Sequence, residues 1–574
     1  MYINLFQRPA NSPEYDFQRR EGHRLRLKAT VFIETNQFSD TALMDICRND
    51  HEIYGDELAI WLAPTESMPN TMVWLLSEAE KEECVKISVE RFRNTFGYLP
   101  TACGNYLLDS SLIRLLRKYC PGIRGVVAGC FEEGVRVYHG CNNSWYLFSE
   151  GMSWGPWYPS VDHSLRPAEN TENWAGVVAV PHLSRDLVLS YENRDDFFAS
   201  HPANIQRGLV NEGPIHPYDF NLCDQQRMQA YYNDGFAYYQ IHVGSTWLSH
   251  HHNIIDPDEV TQGMYSETLN YLSQLCKSGD AQSVTLTEFA DAYQSTFPIG
   301  KPTVGIGKDI LTGSGKHYYW LFSPAYRVLI DTFQGGSIGD LRPYIGHYSA
   351  ITGTDAPDGR YHMGSYPYLI HSQYRTGSKH HYEDGARTTL FLQHGDERVD
   401  LCRCSAKIAS VASRDHHQSL LLTPICVTFS DGAQATIQTE YSFEDNGDIV
   451  ITRKLLHVSE HCNDLVLCEY VKGCYGFTEY PEDMKGITFL ADGKTIDTYQ
   501  YSAKSHTFFG NHHIEAAIPQ IHTSISLQPI SLAESMKISD GHLFSPFYTM
   551  ECTYRYQNNR KEIRTCLMLR RMKV

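Results

Sequence analysis

The chain has 574 residues, about three to four times the usual domain length, so two or three domains are expected. It is 42% hydrophobic and 20% charged, which is enough apolar material for a substantial core in water. The net charge of −18 argues against nucleic acid, which needs clustered Lys and Arg, and no apolar run approaches the ~20 residues that cross a bilayer.

In chain order, YINLF and KATVFIE are short, β-branched or aromatic, and read as strands. Residues 78–97, rich in Glu and Lys and ending at a Gly, predict an amphipathic helix. SSLIRLLRKYCPG (110–122) predicts another, with Ser at its start and Pro-Gly after it. GIRGVVAGC (122–130) and GVVAVPH (176–182) are continuous apolar runs, as in strands covered on both faces. AYYQIHVG (237–244) is a further strand, and 256–279 and 286–297 are helices. Alternating β and α units argue for a parallel sheet, open or closed as a barrel. After about residue 300 the helical period fades. Segments such as ATIQTEYSFEDNGDIVITRKLLHVS alternate strands with Asn-Gly and Asp-Gly turns, the pattern of a β-sandwich. The link falls in the Gly/Pro-rich stretch 298–316, dividing the chain into 1–300 and 301–574.

The 16 cysteines include no CxxC pair, and the N-terminus lacks a basic segment followed by an apolar one. Both point to a cytoplasmic protein with reduced thiols. GGSIG (335–339) fits a nucleophile elbow but lies in the β-rich region without a following helix. GSGKH (313–317) has a misplaced upstream Gly and His317 in place of Ser or Thr, so it is not a phosphate loop. The run HHH (250–252) reads as surface or hydrogen-bonded histidines, since neighbours on a strand face opposite sides.

The strand YINLFQRP, then LKATVFIETNQF, then a helix-like stretch ending in NDHEIYGDEL resemble the NodB-type polysaccharide deacetylase barrel over roughly residues 1–250. The resemblance puts HEIY at the end of a third strand, with Asp56 and Glu57 just after it. That family holds a metal with an Asp after the first strand and two His after the third. Here Gln7 and Arg8 stand at the first place, and Asp56, Glu57, Ile60 and Trp61 at the second. The resemblance therefore implies that this metal triad is absent. GDELAI (55–60) resembles the Gly-x-x-Glu motif of family 57 glycoside hydrolases, which use a related seven-stranded barrel followed by a β-rich region. FEEGVRVYHGCNNSWYLFSEG, PHLSRD and DDFFASHPAN resemble motifs of an uncharacterised group of bacterial glycoside hydrolase/deacetylase-like proteins. The expected fold is a (β/α)7-type deacetylase-like barrel followed by an all-β sandwich. The implied partner is a carbohydrate, with no cofactor, no nucleic acid and no membrane.

Glycoside hydrolysis needs two carboxyl groups, one to protonate the leaving oxygen and one to attack or to activate water. In a parallel barrel they sit just after strand C-termini. The acids expected there are Glu34, Glu57, Glu132, Glu133 and Asp186. Glu132 or Glu133 is expected as nucleophile or base, and Glu57 or Asp186 as acid. Asn36, Asp56, His182, Arg185 and His242 are candidates for binding hydroxyls. Trp145, Trp154 and Trp157, among Gly, Ser and Pro, read as the wall of a ligand site. Against each stands a bland alternative: a solvated strand end, a helix cap, a structural Arg–Asp pair, a loop folded onto the barrel. Two other functions fit the same residues. One is a metal-dependent carbohydrate deacetylase with ligands relocated to His51, His182, His242 and Asp186. The other is a non-catalytic carbohydrate-binding protein.

Overall fold

The computed structural model describes residues 1–69, 71–129, 151–192, 218–249, 258–346, 366–372, 385–414, 417–462, 464–477, 480–481, 483–557 and 561–572. The chain forms two compact units, one of Met1–Gly300 with Ile310–Thr312, the other of Lys301–Asp309 and most of the chain from Gly313 on.

In the first unit seven parallel strands run Tyr2–Gln7 (β1), Ala29–Glu34 (β2), Glu57–Trp61 (β3), Ala102–Gly104 (β4), Gly125–Gly129 (β5), Val178–Pro181 (β6) and Tyr238–His242 (β7). Their order is β6-β5-β4-β3-β2-β1-β7, with the short Gln282–Ser283 (β8) beside the start of β1. Apart from Tyr2 and Glu34 every residue of the seven is buried, as expected of strands covered on both faces. No ladder joins β6 to β7. The amide of Gln240 closes that seam by donating to the carbonyls of Pro181 (3.1 Å) and His182 (2.7 Å), and Ser184 N–H donates to the Gln240 carbonyl (3.0 Å).

The helices are Pro13–Arg24 (α1), Thr41–Tyr54 (α2), Glu78–Phe96 (α3), Ser110–Tyr119 (α4), Leu189–Glu192 (α5), Tyr218–Met228 (α6), Asp258–Ser278 (α7) and Leu286–Thr296 (α8). Their starts are written locally. Ser12, Asp40 and Asp109 cap α1, α2 and α4, and Ser77/Glu80 and Thr285/Glu288 make capping boxes on α3 and α8. The start of α8 packs on β5 so closely that a Cβ at Gly125 would lie 2.7 Å from Leu286 Cγ. No helix among the described residues is long and apolar enough to cross a membrane.

One expected element differs. HEIY does not end a strand; it is the last turn of α2, closed by Gly55 in the left-handed region (φ 77°). The third strand begins at Glu57, so Asp56 and Glu57 precede it.

The second unit is all β. Three antiparallel sheets of five, six and ten strands carry it, the five-stranded one built from Thr303–Lys308, His317–Phe322, Arg327–Asp331, Ser337–Arg342 and Ile370–His371. Alternation is clean where one face is wet: in Gln434–Glu444 every second residue is buried. Arg453 on the ten-stranded sheet meets Glu469 on the six-stranded sheet through two bonds of 2.6 and 3.0 Å, both residues being buried. This α/β barrel followed by a β-sandwich is the expected fold class.

Candidate active site at the barrel mouth

The C-terminal ends of the seven strands define one mouth of the barrel. Arg8 follows β1, Glu34 ends β2, Trp61 ends β3, Tyr106 follows β4, His182 follows β6 and His242 ends β7. Chain positions far apart thus meet in one layer. Arg8 is ion-paired with Glu34, lies over the Trp61 ring (5.0 Å) and donates to the Tyr106 hydroxyl (3.5 Å). The rings of His182 and His242 stand edge to face with centroids 4.2 Å apart. Phe6 stacks on Phe32 (4.4 Å) and lies 4.2 Å from the His242 ring. Tyr106 packs 4.7 Å from His182.

His242 is 8% exposed, and neither ring nitrogen meets a hydrogen-bond partner among the described residues. Burial pushes its pKa well below the ordinary value, and the guanidinium charges of Arg8 and Arg185 act in the same direction. The ring is therefore a neutral imidazole, with one donor and one acceptor nitrogen to offer a ligand.

The opposite end is different. Glu57 opens β3 at the floor, where Oε1 accepts from the hydroxyls of Thr101 (3.1 Å) and Thr287, and Oε2 from Thr30 Oγ1 (3.1 Å) and Thr287 N–H (3.2 Å). Burial raises its pKa, and those four bonds oppose the rise. Glu57 thus anchors the N-terminus of α8 to the sheet, far from the mouth where an acid was expected. Asp56 is beside it: Oδ2 meets His23 Nε2 (2.7 Å) and Oδ1 accepts from Ala29 N–H (3.2 Å). His51 Nδ1 pairs with the Asp56 carbonyl (2.7 Å), also at the floor.

Asp186 is buried and already engaged. Oδ1 accepts from the N–H groups of Val188 (2.8 Å) and Leu189 (3.1 Å), capping α5, and Oδ2 accepts from the Tyr218 hydroxyl (3.2 Å). Its neighbour Arg185 is buried, and its carbonyl accepts from Gln226 Nε2 (3.0 Å). Asn36 lies at the surface after β2, donating to the Pro64 carbonyl (3.1 Å). Trp154 and Trp157 are buried rather than presented as a wall. Trp157 donates to the Ser164 carbonyl (2.8 Å) and its backbone bridges Ala179 of β6. Glu132, Glu133 and Trp145 lie outside the described residues.

The resemblance put Arg8 and Trp61 at the places of absent metal ligands without making them candidates, and sequence reading missed Tyr106 altogether. The available signal was position: each lies at or within two residues of a strand end. Among the described residues, His23, Asp50 and Asp56 form the group of three with metal-ligating spacing. It fits an ion poorly, because Arg19 Nη1 spans both Asp50 oxygens (3.2 and 3.1 Å) and Asp56 is held by His23 and Ala29.

No family model and no curated protein matches this sequence. Among solved structures, 4-alpha-glucanotransferase from Thermococcus litoralis aligns over 100% of this chain and 99% of its own at 9% identity, with a TM-score of 0.31. A protein named as a polysaccharide deacetylase from Mycobacterium smegmatis aligns over 52% of this chain and 92% of its own at 11% identity, with a TM-score of 0.31. A galactose mutarotase-like protein from Clostridium acetobutylicum aligns over 47% of this chain and 99% of its own at 9% identity, with a TM-score of 0.28.

Proposed function

We propose that this chain is a carbohydrate-active hydrolase that cleaves a glycosidic bond at the mouth of the parallel barrel, using two carboxyl groups and no metal. One observation carries the reading. A half-buried carboxylate, Glu34, shares the mouth with the buried imidazole of His242, whose nitrogens have no partner among the described residues. Other buried polar atoms, such as Asn4 Oδ1 and Trp74 Nε1, also lack a partner among the described residues; His242 differs in lying at the mouth, where an unmet imidazole can take a ligand hydroxyl. Glu34 supplies one carboxyl group. Glu132 or Glu133 supplies the other, since β5 ends at Gly129 on the same face and these residues follow it in sequence. Glu57 and Asp186 are left out of the chemistry, the first by its place at the floor and the second because its oxygens cap α5 and hold Tyr218.

The test is a panel of aryl glycosides and oligosaccharides with the full chain. Hydrolysis of a panel member is expected, with kcat reduced at least ~10³-fold in Glu34→Gln and in one of Glu132→Gln and Glu133→Gln. Full activity in Glu34→Gln overturns the reading.

The His182–His242 pair favours a second reading, a metal-dependent deacetylase, since two adjacent imidazoles could share an ion. Stoichiometric metal in protein purified without chelator or His tag, together with acetate release from acetylated sugars, would replace the first reading by this one. Binding of a sugar without turnover, unchanged by the carboxylate variants, would leave a lectin-like protein.

A further inference from the structure

We infer that Arg8 is a positioning residue for Glu34, and that the pair assigns Glu34 the role that needs a carboxylate rather than an acid. The inference rests on the hydrolase reading only in taking Glu34 to act in the reaction.

Two independent constraints meet on Glu34. The first is the side-chain pair itself. Arg8 leaves β1 one residue beyond Gln7, and the parallel register of β1 and β2 (Gln7 beside Val31) brings its guanidinium to the end of β2, onto Oε1 of Glu34. The guanidinium cannot swing freely, because the Trp61 ring lies 5.0 Å beneath it and the Tyr106 hydroxyl accepts from Nη1 at 3.5 Å. A planar, permanently charged group stacked on an indole is a fixed reference for a carboxylate. The second constraint is in the backbone. Gln37 accepts from the Glu34 N–H through Oε1 (2.9 Å) and donates through Nε2 to the Pro9 carbonyl (2.8 Å). One amide therefore ties the chain just after β1 to the end of β2, holding the two residues of the pair at fixed separation. Arg8 and Glu34 are 22% and 33% exposed, so a ligand can reach them.

The charged and titratable groups around the pair make its meaning plain. Tyr106 touches Arg8, His182 and His242 line the mouth behind it, and Arg185 lies near enough to act on His242. From α3, Arg91 donates to the Thr35 carbonyl (2.9 Å) next to Glu34 and pairs with Glu66 (3.3 Å). Among the described residues cations and neutral rings surround the pair, and the contact with Arg8 favours the charged form of Glu34 over the protonated one. It can attack or accept a proton, and the acid is then a different residue.

The experiment is a carbon-13 titration of the full chain labelled at the glutamate side-chain carboxyl. The Glu34 resonance is identified by its loss in Glu34→Gln. In Arg8→Met its midpoint is expected to move up by at least about one pH unit, and Arg8→Lys to restore most of the wild-type position. Arg8→Gln serves if the Met variant does not fold. With a substrate in hand, the acidic limb of kcat/KM moves up by the same amount. An unmoved midpoint in Arg8→Met overturns the inference even if Glu34→Gln is inactive, which leaves the hydrolase reading standing. A shifted midpoint with a fully active Glu34→Gln overturns the hydrolase reading instead and leaves the charge assignment standing.

Discussion

The two ends of the barrel carry similar residue types in opposite conditions. At the floor, both oxygens of Glu57 accept two hydrogen bonds, and the group joins β2, β3, the start of β4 and the start of α8. At the mouth, the His242 imidazole is as deeply buried but has no partner for either nitrogen among the described residues. A satisfied buried polar group stabilises a fold; an unsatisfied one weakens it and is kept where a ligand completes it. Burial alone does not separate structure from site. A missing partner counts only together with a place at the strand ends, since Asn4 Oδ1 and Trp74 Nε1 are also unmet among the described residues.

The sharpest way to break this contrast is a pair of variants. Glu57→Ala strands the hydroxyls of Thr30, Thr101 and Thr287 and frees the N-terminus of α8. It should cost about 3 kcal/mol of stability, read as a lower urea midpoint, with the rate per folded molecule little changed. Glu34→Gln should do the reverse, keeping the urea midpoint and losing the reaction. If Glu57→Ala loses activity without losing stability, the floor is not merely structural.

A second variant sharpens the mouth. His242→Phe replaces an unmet polar ring by an apolar ring of similar shape, among Phe6, Phe32 and His182. Stability should hold or rise by about 1 kcal/mol while kcat falls about 10²-fold. A fall in stability would mean that the imidazole is satisfied after all.

The same residue gives a pH signature. Its folded pKa is depressed below 6.5, so the unfolded chain binds the proton first. The stability linked to it is present above pH 6.5 and is lost as the pH falls below that value. Stability should fall between pH 7.5 and 5, and His242→Phe should abolish that component of the slope. Chemical denaturation at four or five pH values measures it.

How far the sequence alone could have led is visible in particular residues. Strands such as β5 and β6 announced themselves, because a parallel sheet covered on both faces leaves unbroken apolar runs such as GVVAG and VAVP. HEIY misled because its likeness to the family's third-strand motif put it at a strand end, yet Ile53 and Tyr54 are exposed on the last turn of α2 (63% and 49%). Gly55 was the local sign of a helix end. Reading it would have put Glu57 at the start of the next strand, at the floor. Glu34, His182 and His242 could be placed at strand ends from their own segments. Local pattern does not join Arg8, Trp61 and Tyr106 to them, since what unites positions 8, 34, 61 and 106 is strand order in a parallel sheet; only the family resemblance put Arg8 and Trp61 at one site. Trp157 shows the converse: Gly, Ser and Pro around a Trp look like a binding loop, and only its bond to the Ser164 carbonyl shows a packed one.

The smallest expected effect lies in the β-rich unit, where His394 behaves in the opposite sense to His242. His394 sits between two aspartates, Nδ1 to Asp464 (2.5 Å) and Nε2 to Asp431 (2.9 Å), which are held in turn by the N–H groups of Gly395 (3.0 Å) and Ala433 (2.9 Å). Those carboxylates raise its pKa above 6.5; the Ala433 N–H and then the histidine lower that of Asp431 below 3.8, and the histidine and then the Gly395 N–H lower that of Asp464. The imidazolium form is therefore the one the fold favours. Its contribution is complete below pH 6.5 and disappears as the pH rises through the raised value. Because the cluster lies at the surface, solvent and salt screen it. His394→Asn should lower the thermal midpoint at pH 6 by about a degree or two and leave it unchanged at pH 9, with the difference shrinking in high salt. An equal effect at both pH values would mean that the clasp acts by packing against Phe429, whose ring lies 5.2 Å away, and not by charge.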